Sequence, residues 1–465
     1  MTSSVTMPLW LLIVILGFAA VTFASHFLFP SVRWFFRLRM ERVVARLNER
    51  LERPIQPFKL ARRHDMIQRL IYDPEVSKAI IEHARREGVP ENVAFQRARG
   101  YAREIVPSFS ASLYFGLAIK LARLISTSLY HVRLGHHAED HLKAIDPEAT
   151  VVFVMNHRSN MDYVLVTYLA AERSALSYAV GEWAQVWPLS RLIKAMGAYF
   201  IRRKSRNALY HKVLERYIRL ATDAGVMQAV FPEGGLSLDG ALAEPKLGIL
   251  KYIVEGHDLS SRDVVFVPVA INYDRVFEDR ILVKAEQIGT RRFRARISVI
   301  LRFLFKQAWL RLRGRYHRFG YAGVSFGPPV NLRRFLEDEP NNTIQKLARQ
   351  LMWRIGKEIP VLPVPLVASA LLVASAPLDR PALEKRVNDI VARLPEAHLY
   401  LPRNDLSYAV EVGVRNLLGR ELVEENEGRF TVTQEGRALV AFYAASIEHL
   451  FEKPRHGDFS AAARL

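Results

Sequence analysis

Cysteine is absent from this 465-residue chain. That excludes disulfides, thiolate metal sites and cysteine nucleophiles. The G-x-S-x-G match at Gly323–Gly327 falls within an apolar run that reads as a strand, not on the strand-to-helix elbow that exposes a hydrolase nucleophile. Internal repeats and low-complexity tracts are missing as well. Residues 7–29 carry no formal charge, with only His26 able to titrate, and residues 291–318 hold no Asp or Glu.

What is present is positive charge and apolar bulk. The net charge is +19 and half the residues are hydrophobic, enough for a full-sized core and two or three domains. Such a charge suits nucleic acid, phosphate-bearing substrates or an anionic membrane leaflet. The uncharged run Met7–Phe29 has 23 residues. As a helix it extends ~34 Å, against a hydrocarbon core of roughly 30 Å. Arg33, Arg37, Arg39, Arg42 and Arg46 follow it. The run therefore reads as a transmembrane anchor over 1–30, with the rest of the chain on the cytoplasmic side. A cleaved secretory signal fits less well, because no basic segment precedes the run.

Beyond the anchor, residues 31–52 read as a basic helix and 57–135 as further helices, with apolar residues three and four apart. The pattern changes after Pro147. Continuous apolar runs at 149–156, 227–231, 264–271 and 322–327 predict strands buried on both faces. Helical stretches at 205–224 and 246–255 separate them. The expected organisation is a helical region over 31–139, an α/β domain with a mixed, mostly buried sheet over 140–340, and a helical region over 341–465. Within the last, 364–377 is apolar but short and bounded by prolines, so a buried helix is favoured over a second crossing. A small hairpin is expected near 420–436.

Residues 291–318 hold ten Lys or Arg interleaved with large apolar residues including Phe293, Ile300 and Trp309, the pattern of a helix lying on a membrane surface or of a solvated helix face. No nucleic-acid motif accompanies them, and nucleic acid is not an expected partner.

Chemistry concentrates in four segments. "NHRSNMDY" places His157 and Asp162 five apart directly after a buried strand, with Arg158 and Ser159 between them. A His can act as general base, and a carboxylate on its other ring nitrogen would fix its tautomer. Without a cysteine or an elbow serine, the base would act on a substrate hydroxyl. Alone, the pair reads more readily as a structural cap. "GAYFIRRKS" sets Phe200 before Arg202, Arg203 and Lys204, a candidate phosphate site or a surface cluster. "FPEGGLS" offers Glu233, Gly234, Gly235 and Ser237; adjacent glycines let backbone N–H groups approach an anion, or simply make a tight turn. Lys246 opens a helix, and "VPVAINY" carries Pro268 where a strand is expected and a proline normally needs an edge or bulge.

In order and spacing these four blocks resemble those of the glycerolipid acyltransferases. The segments 97–110, 362–372 and 442–451 are similar to bacterial glycerol-3-phosphate acyltransferases and their dihydroxyacetone-phosphate relatives, so the likeness extends over most of 95–455. The resemblance implies a membrane-bound O-acyltransferase of the bacterial inner membrane. It would move a fatty acyl group from acyl-CoA or acyl carrier protein to glycerol 3-phosphate, with no cofactor and no metal. His157 would be the base and Asp162 its partner. Arg202 and Arg203 would hold the phosphate, with Arg158, Ser159, Phe200 and Lys204 beside the substrate. Glu233, Gly234, Gly235, Ser237 and Lys246 would line the acceptor pocket, and Pro268 the acyl-thioester side. The glycerol-3-phosphate enzymes usually carry basic residues where this chain has Leu236 and Leu238. Either Arg202, Arg203, Lys204 and Lys246 compensate, or the acceptor is lysophosphatidate or dihydroxyacetone phosphate, or the fold is a degenerate lipid-binding scaffold. "HHAEDH", with His137 and His141, reads as a solvated surface in preference to a metal site.

Overall fold

The computed structural model describes residues 8–135, 142–169, 175–202, 205–255, 262–289, 309, 313, 318–339, 343–394 and 399–451. The expectations for His137, His141, Arg203, Lys204 and most of 291–318 lie outside these residues. The chain divides into two units, Met1–Ile55 and Gln56–Leu465.

The first unit is one helix, α1 (Leu9–Asn48). It exposes Leu9, Trp10, Ile13, Leu16 and Phe18. Among the described residues no helix is long and apolar enough to cross a membrane, so the fold does not establish the transmembrane span expected at the N-terminus.

The second unit opens with one helical turn, Pro57–Leu60, followed by helices α2 (Arg63–Ile71), α3 (Pro74–Glu87) and α4 (Glu91–Ile105). Local chemistry sets the limits of α3. The Asp73 carboxylate accepts the N–H of Glu75, Pro74 occupies the first turn where no N–H is needed, and Gly88 ends the helix at φ 63°. Helix α4 buries Ala94, Ala98 and Ala102, four apart, which lets its neighbours approach closely. A π-helical segment, Ser112–Ala118, leads into α5 (Ile119–Leu129).

The sheet follows: β1 (His131–Leu134), β2 (Thr150–Met155), helix α6 (Met161–Leu169), β3 (Ser177–Gly181), helix α7 (Leu189–Ala195), β4 (Tyr199–Ile201), helix α8 (Ala208–Asp223), β5 (Gln228–Val230), helix α9 (Gly248–Val254), β6 (Val264–Tyr273), helix α10 (Asp279–Ile288), β7 (Tyr321–Phe326) and β8 (Val330–Asn331). The strand order is β1-β7-β6-β2-β5-β3-β4, with β8 also paired to β6. Strands β6, β2, β5, β3 and β4 are mutually parallel, whereas β7 and β8 run antiparallel to β6. The sheet is therefore mixed and flanked by helices. Every residue of β2, β3, β5 and β6 is buried, which is why their sequences are apolar without alternation.

Pro268 sits in a central strand, not at an edge. It is tolerated because β8 pairs with Val265 and Phe266 while β7 begins at Val269. The missing N–H falls in the gap between the two antiparallel partners.

After the sheet come α11 (Leu332–Asp338), α12 (Thr343–Lys357), α13 (Pro363–Leu372), β9 (Leu378–Asp379), α14 (Arg380–Val391), α15 (Leu406–Leu418), the hairpin β10 (Val423–Asn426) and β11 (Arg429–Val432), and α16 (Arg437–Glu448). Helix α13 is buried from Pro363 through Leu371. The hairpin turns on Glu427 and Gly428, both at positive φ, as a two-residue turn of matching twist requires.

Candidate active site

Asn156 ends β2 by imitating main chain. Its amide donates to the Ile271 carbonyl at 2.9 Å and accepts the Ile271 N–H at 2.8 Å, so the ladder to β6 runs one side chain beyond the strand. The backbone then turns and α6 begins, which brings Asp162 back beneath His157.

His157 Nδ1 meets Asp162 Oδ2 at 2.9 Å, and the two side chains are 1% and 0% exposed. The same oxygen accepts the N–H groups of Arg158 at 2.8 Å and Ser159 at 3.0 Å, and Oδ1 accepts the Tyr273 hydroxyl at 2.7 Å. Four donors thus converge on one buried carboxylate, the compensation that a buried charge needs. The imidazole is walled by aromatic rings. Phe231 lies 4.2 Å away at 31°, and Tyr163 lies 5.4 Å away at 83°. Low polarity there strengthens the imidazole–carboxylate interaction.

A second carboxylate fixes the main chain of the histidine. Glu233 Oε1 accepts the His157 N–H at 2.9 Å, and the His157 carbonyl accepts the Ser237 N–H at 2.9 Å. Burial pushes the Glu233 carboxyl up to about 8, although the His157 N–H and Arg158 pull the other way. A third carboxylate, Glu278, accepts from the Ser159 hydroxyl at 2.7 Å and the Asn160 amide at 3.0 Å; burial raises it, and these hydrogen bonds oppose the rise.

Several residues expected at the substrate turn out to support this loop. The Ser159 hydroxyl is committed to Glu278. The Ser237 hydroxyl donates to the Ala241 carbonyl at 2.8 Å and accepts the Gly240 N–H at 3.0 Å, closing its own turn. Arg158 is 3% exposed; Nη1 donates to the Gly240 carbonyl and the guanidinium faces the Phe442 ring of α16 at 5.1 Å. Its Nε and Nη2 have no hydrogen-bond partner among the described residues, and burial lowers its pKa. Phe200 and Pro268 are buried within the sheet, Pro268 level with Val154.

Gly234 lies beside this loop at φ 67°, half-buried like Gly235. The Lys246 side chain crosses Gly234 so closely that a Cβ there would stand 2.7 Å from its Cδ. Leu236 is half-buried against the core and Leu238 is 5% exposed. A cation at 238 would be buried in this chain.

The strand register relates the histidine to the arginine. Val154 pairs with Val230, Ala229 with Tyr178, and Val180 with Phe200. The strands end at Met155, Val230, Gly181 and Ile201, so the segments that carry His157, Glu233, Glu182 and Arg202 all leave the carboxyl edge of the sheet, where open α/β sheets bind ligands. His157 follows β2 and Arg202 follows β4, strands three places apart in the sheet and so separated by roughly 14 Å at ~4.8 Å per strand. Arg202 is paired with Glu104 of α4, its Nη2 lying 2.6 Å from Oε2. Sequence reasoning assigned no role to Glu104, Phe231, Tyr273 or Glu278. Glu104, Phe231 and Tyr273 stood inside segments already singled out, but nothing local shows which partner each will meet.

Comparison with known proteins agrees with the motif reading. Residues 134–272 match the Acyltransferase family and residues 307–454 match the glycerol-3-phosphate acyltransferase C-terminal region. A glycerol-3-phosphate acyltransferase of Pseudomonas entomophila (strain L48) is 28% identical over 90% of this chain and 52% of its own length. One from Pseudomonas syringae pv. tomato is 30% identical over 85% of this chain and 49% of its own. The chain thus spans about half the length of the curated relatives it matches. Among solved structures, the 1-acyl-sn-glycerophosphate (LPA) acyltransferase from Thermotoga maritima aligns with a TM-score of 0.32 at 16% identity, covering 52% of this chain and 77% of that one, too distant to bear on mechanism.

Proposed function

From an acyltransferase domain followed by a glycerol-3-phosphate acyltransferase C-terminal region, we propose that this chain transfers a fatty acyl group from a thioester of CoA or acyl carrier protein to the hydroxyl of glycerol 3-phosphate, giving lysophosphatidate. The observation that carries the reading is the buried His157–Asp162 pair at 2.9 Å on the carboxyl edge of the sheet.

With Nδ1 engaged by Asp162, Nε2 is the nitrogen that takes the hydroxyl proton as the oxygen attacks the thioester carbonyl. Asp162 stabilises the resulting imidazolium. Collapse of the tetrahedral intermediate expels the thiolate, which recovers the proton from His157. Arg202 holds the phosphate of the acceptor, and its guanidinium and the three-carbon ester together bridge the three strands to His157. Fixing the hydroxyl in this way turns a bimolecular step into an oriented one. Glu233 orients the histidine main chain.

The proposal places the enzyme at the inner membrane of a bacterium with its catalytic domain in the cytoplasm. The exposed apolar side chains at the start of α1, followed by the five arginines from Arg33 to Arg46, support a membrane anchor there. Leu236 and Leu238, in place of basic residues, favour a second reading in which the acceptor is lysophosphatidate or dihydroxyacetone phosphate. The full chain in membranes, given one labelled acyl thioester and each acceptor in turn, decides between them. Glycerol 3-phosphate is expected to have the highest kcat/KM; a preference for another acceptor rejects the first reading.

A further inference from the structure

Arg202 is held from several directions. Its Nε donates to both oxygens of Glu104 at 3.0 and 3.1 Å, and its Nη2 donates to Oε2 at 2.6 Å. The rings of Tyr101 and Tyr210 lie 5.3 and 5.6 Å from the guanidinium carbon. The Tyr210 hydroxyl accepts the Arg202 N–H at 2.8 Å, which fixes the backbone as the chain leaves β4. Tyr101 and Glu104 stand three apart on α4, so one helix face supplies both a ring and a carboxylate. Glu104 is itself anchored. Gln185 donates to its Oε1 at 3.0 Å, and the Glu104 side chain is 17% exposed against 43% for Arg202. Burial acts to raise its pKa, but hydrogen bonds from Arg202 and Gln185 outweigh that and hold the carboxyl below its usual range.

A guanidinium has two edges that can each take a two-oxygen anion, one through Nε and Nη2, the other through Nη1 and Nη2. Glu104 occupies the first. Ion pairs with this much exposure add little to folding, so stability alone does not account for so many supports on one side chain. A free arginine loses considerable rotamer freedom when it grips an anion, and an arginine already fixed loses less.

We propose that Glu104 is a positioning residue for the acceptor site: it seats Arg202 side-on so that the Nη1 edge is preorganised for the acceptor's phosphate. The helical region ahead of the sheet then contributes to acceptor affinity without touching substrate. This inference rests on the reading of Arg202 as phosphate ligand.

The test is steady-state kinetics on the full chain in membranes with glycerol 3-phosphate and an acyl thioester, comparing wild type, Arg202→Ala, Glu104→Gln and Glu104→Asp. Glu104→Gln is expected to raise KM for glycerol 3-phosphate about tenfold, with kcat, KM for the thioester and the unfolding midpoint unchanged. Glu104→Asp recovers part of the loss. If Arg202→Ala raises that KM while Glu104→Gln leaves it unchanged or lowers it, Glu104 is a spectator or a competitor for the phosphate, and the positioning role is wrong. If Arg202→Ala itself leaves KM unchanged, the phosphate assignment falls instead. Should Glu104→Gln fail to fold, Gln185→Met loosens Glu104 from the other side and is expected to raise the same KM by a smaller factor; no change overturns the role.

Discussion

Glu233 and His157 are joined through the main chain: the carboxyl group of one accepts the backbone N–H of the other at 2.9 Å, while the histidine carbonyl accepts from Ser237. Two loops that leave neighbouring strands are thereby locked together at the point of chemistry. Burial raises Glu233 from 4.5 to about 8. The folded chain therefore keeps a proton that the unfolded chain gives up. This contribution to stability is fully present below about pH 4.5 and is lost as pH rises through about 8. Glu233→Gln cannot titrate. Between pH 5 and 8 its melting temperature is expected to fall less steeply than that of wild type; parallel curves would contradict the raised value.

Asp162 gathers four donors, so removing its charge strands them. Asp162→Asn places an amide where Nδ1 needs an acceptor and permits the wrong tautomer. Acyl transfer is expected to fall by roughly 10²–10⁴-fold, the usual contribution of a positioned base. Rapid-quench measurement of product with saturating substrates gives the number directly.

Tyr273→Phe removes one donor from the same carboxylate and leaves the ring packed against Tyr130 at 5.2 Å. The expected loss is about 1–3 kcal/mol of stability in urea unfolding. A variant as stable as wild type would show that the hydroxyl does not matter to Asp162.

Gly234→Ala forces a side chain onto a backbone at φ 67° and against Lys246. The backbone part costs about 1–2 kcal/mol. Adding Lys246→Ala relieves the steric contact but not the backbone strain, so the double variant is expected to recover only part of the loss in a denaturant titration. Full recovery would place the whole cost on the lysine.

Much of this was legible in the sequence because a strand buried on both faces has no polar face to disguise it. The runs that became β2, β5, β6 and β7 read directly. Strands β3 (Ser177–Gly181) and β4 (Tyr199–Ile201) did not. The His157–Asp162 pair was readable from spacing alone, since five residues span a strand end and a first helical turn. The supports were not. Glu278 lies 119 residues from Ser159, and Glu104 lies 98 from Arg202, separations that only the fold closes. Ser159 and Ser237 were drawn to the substrate by their place in motifs, yet the Ser159 hydroxyl donates to the distant Glu278 and the Ser237 hydroxyl closes its own turn. Pro268 looked out of place until β7 and β8 were seen to meet beside it.

The most direct test of the account is formation of acyl ester by the His157→Ala variant in membranes supplied with glycerol 3-phosphate and an acyl thioester, alongside wild type at equal folded concentration. Wild type is expected to form lysophosphatidate, and the variant's single-turnover rate to drop by roughly 10²–10⁴-fold with its circular dichroism unchanged. Turnover by the variant at the wild-type rate would contradict it.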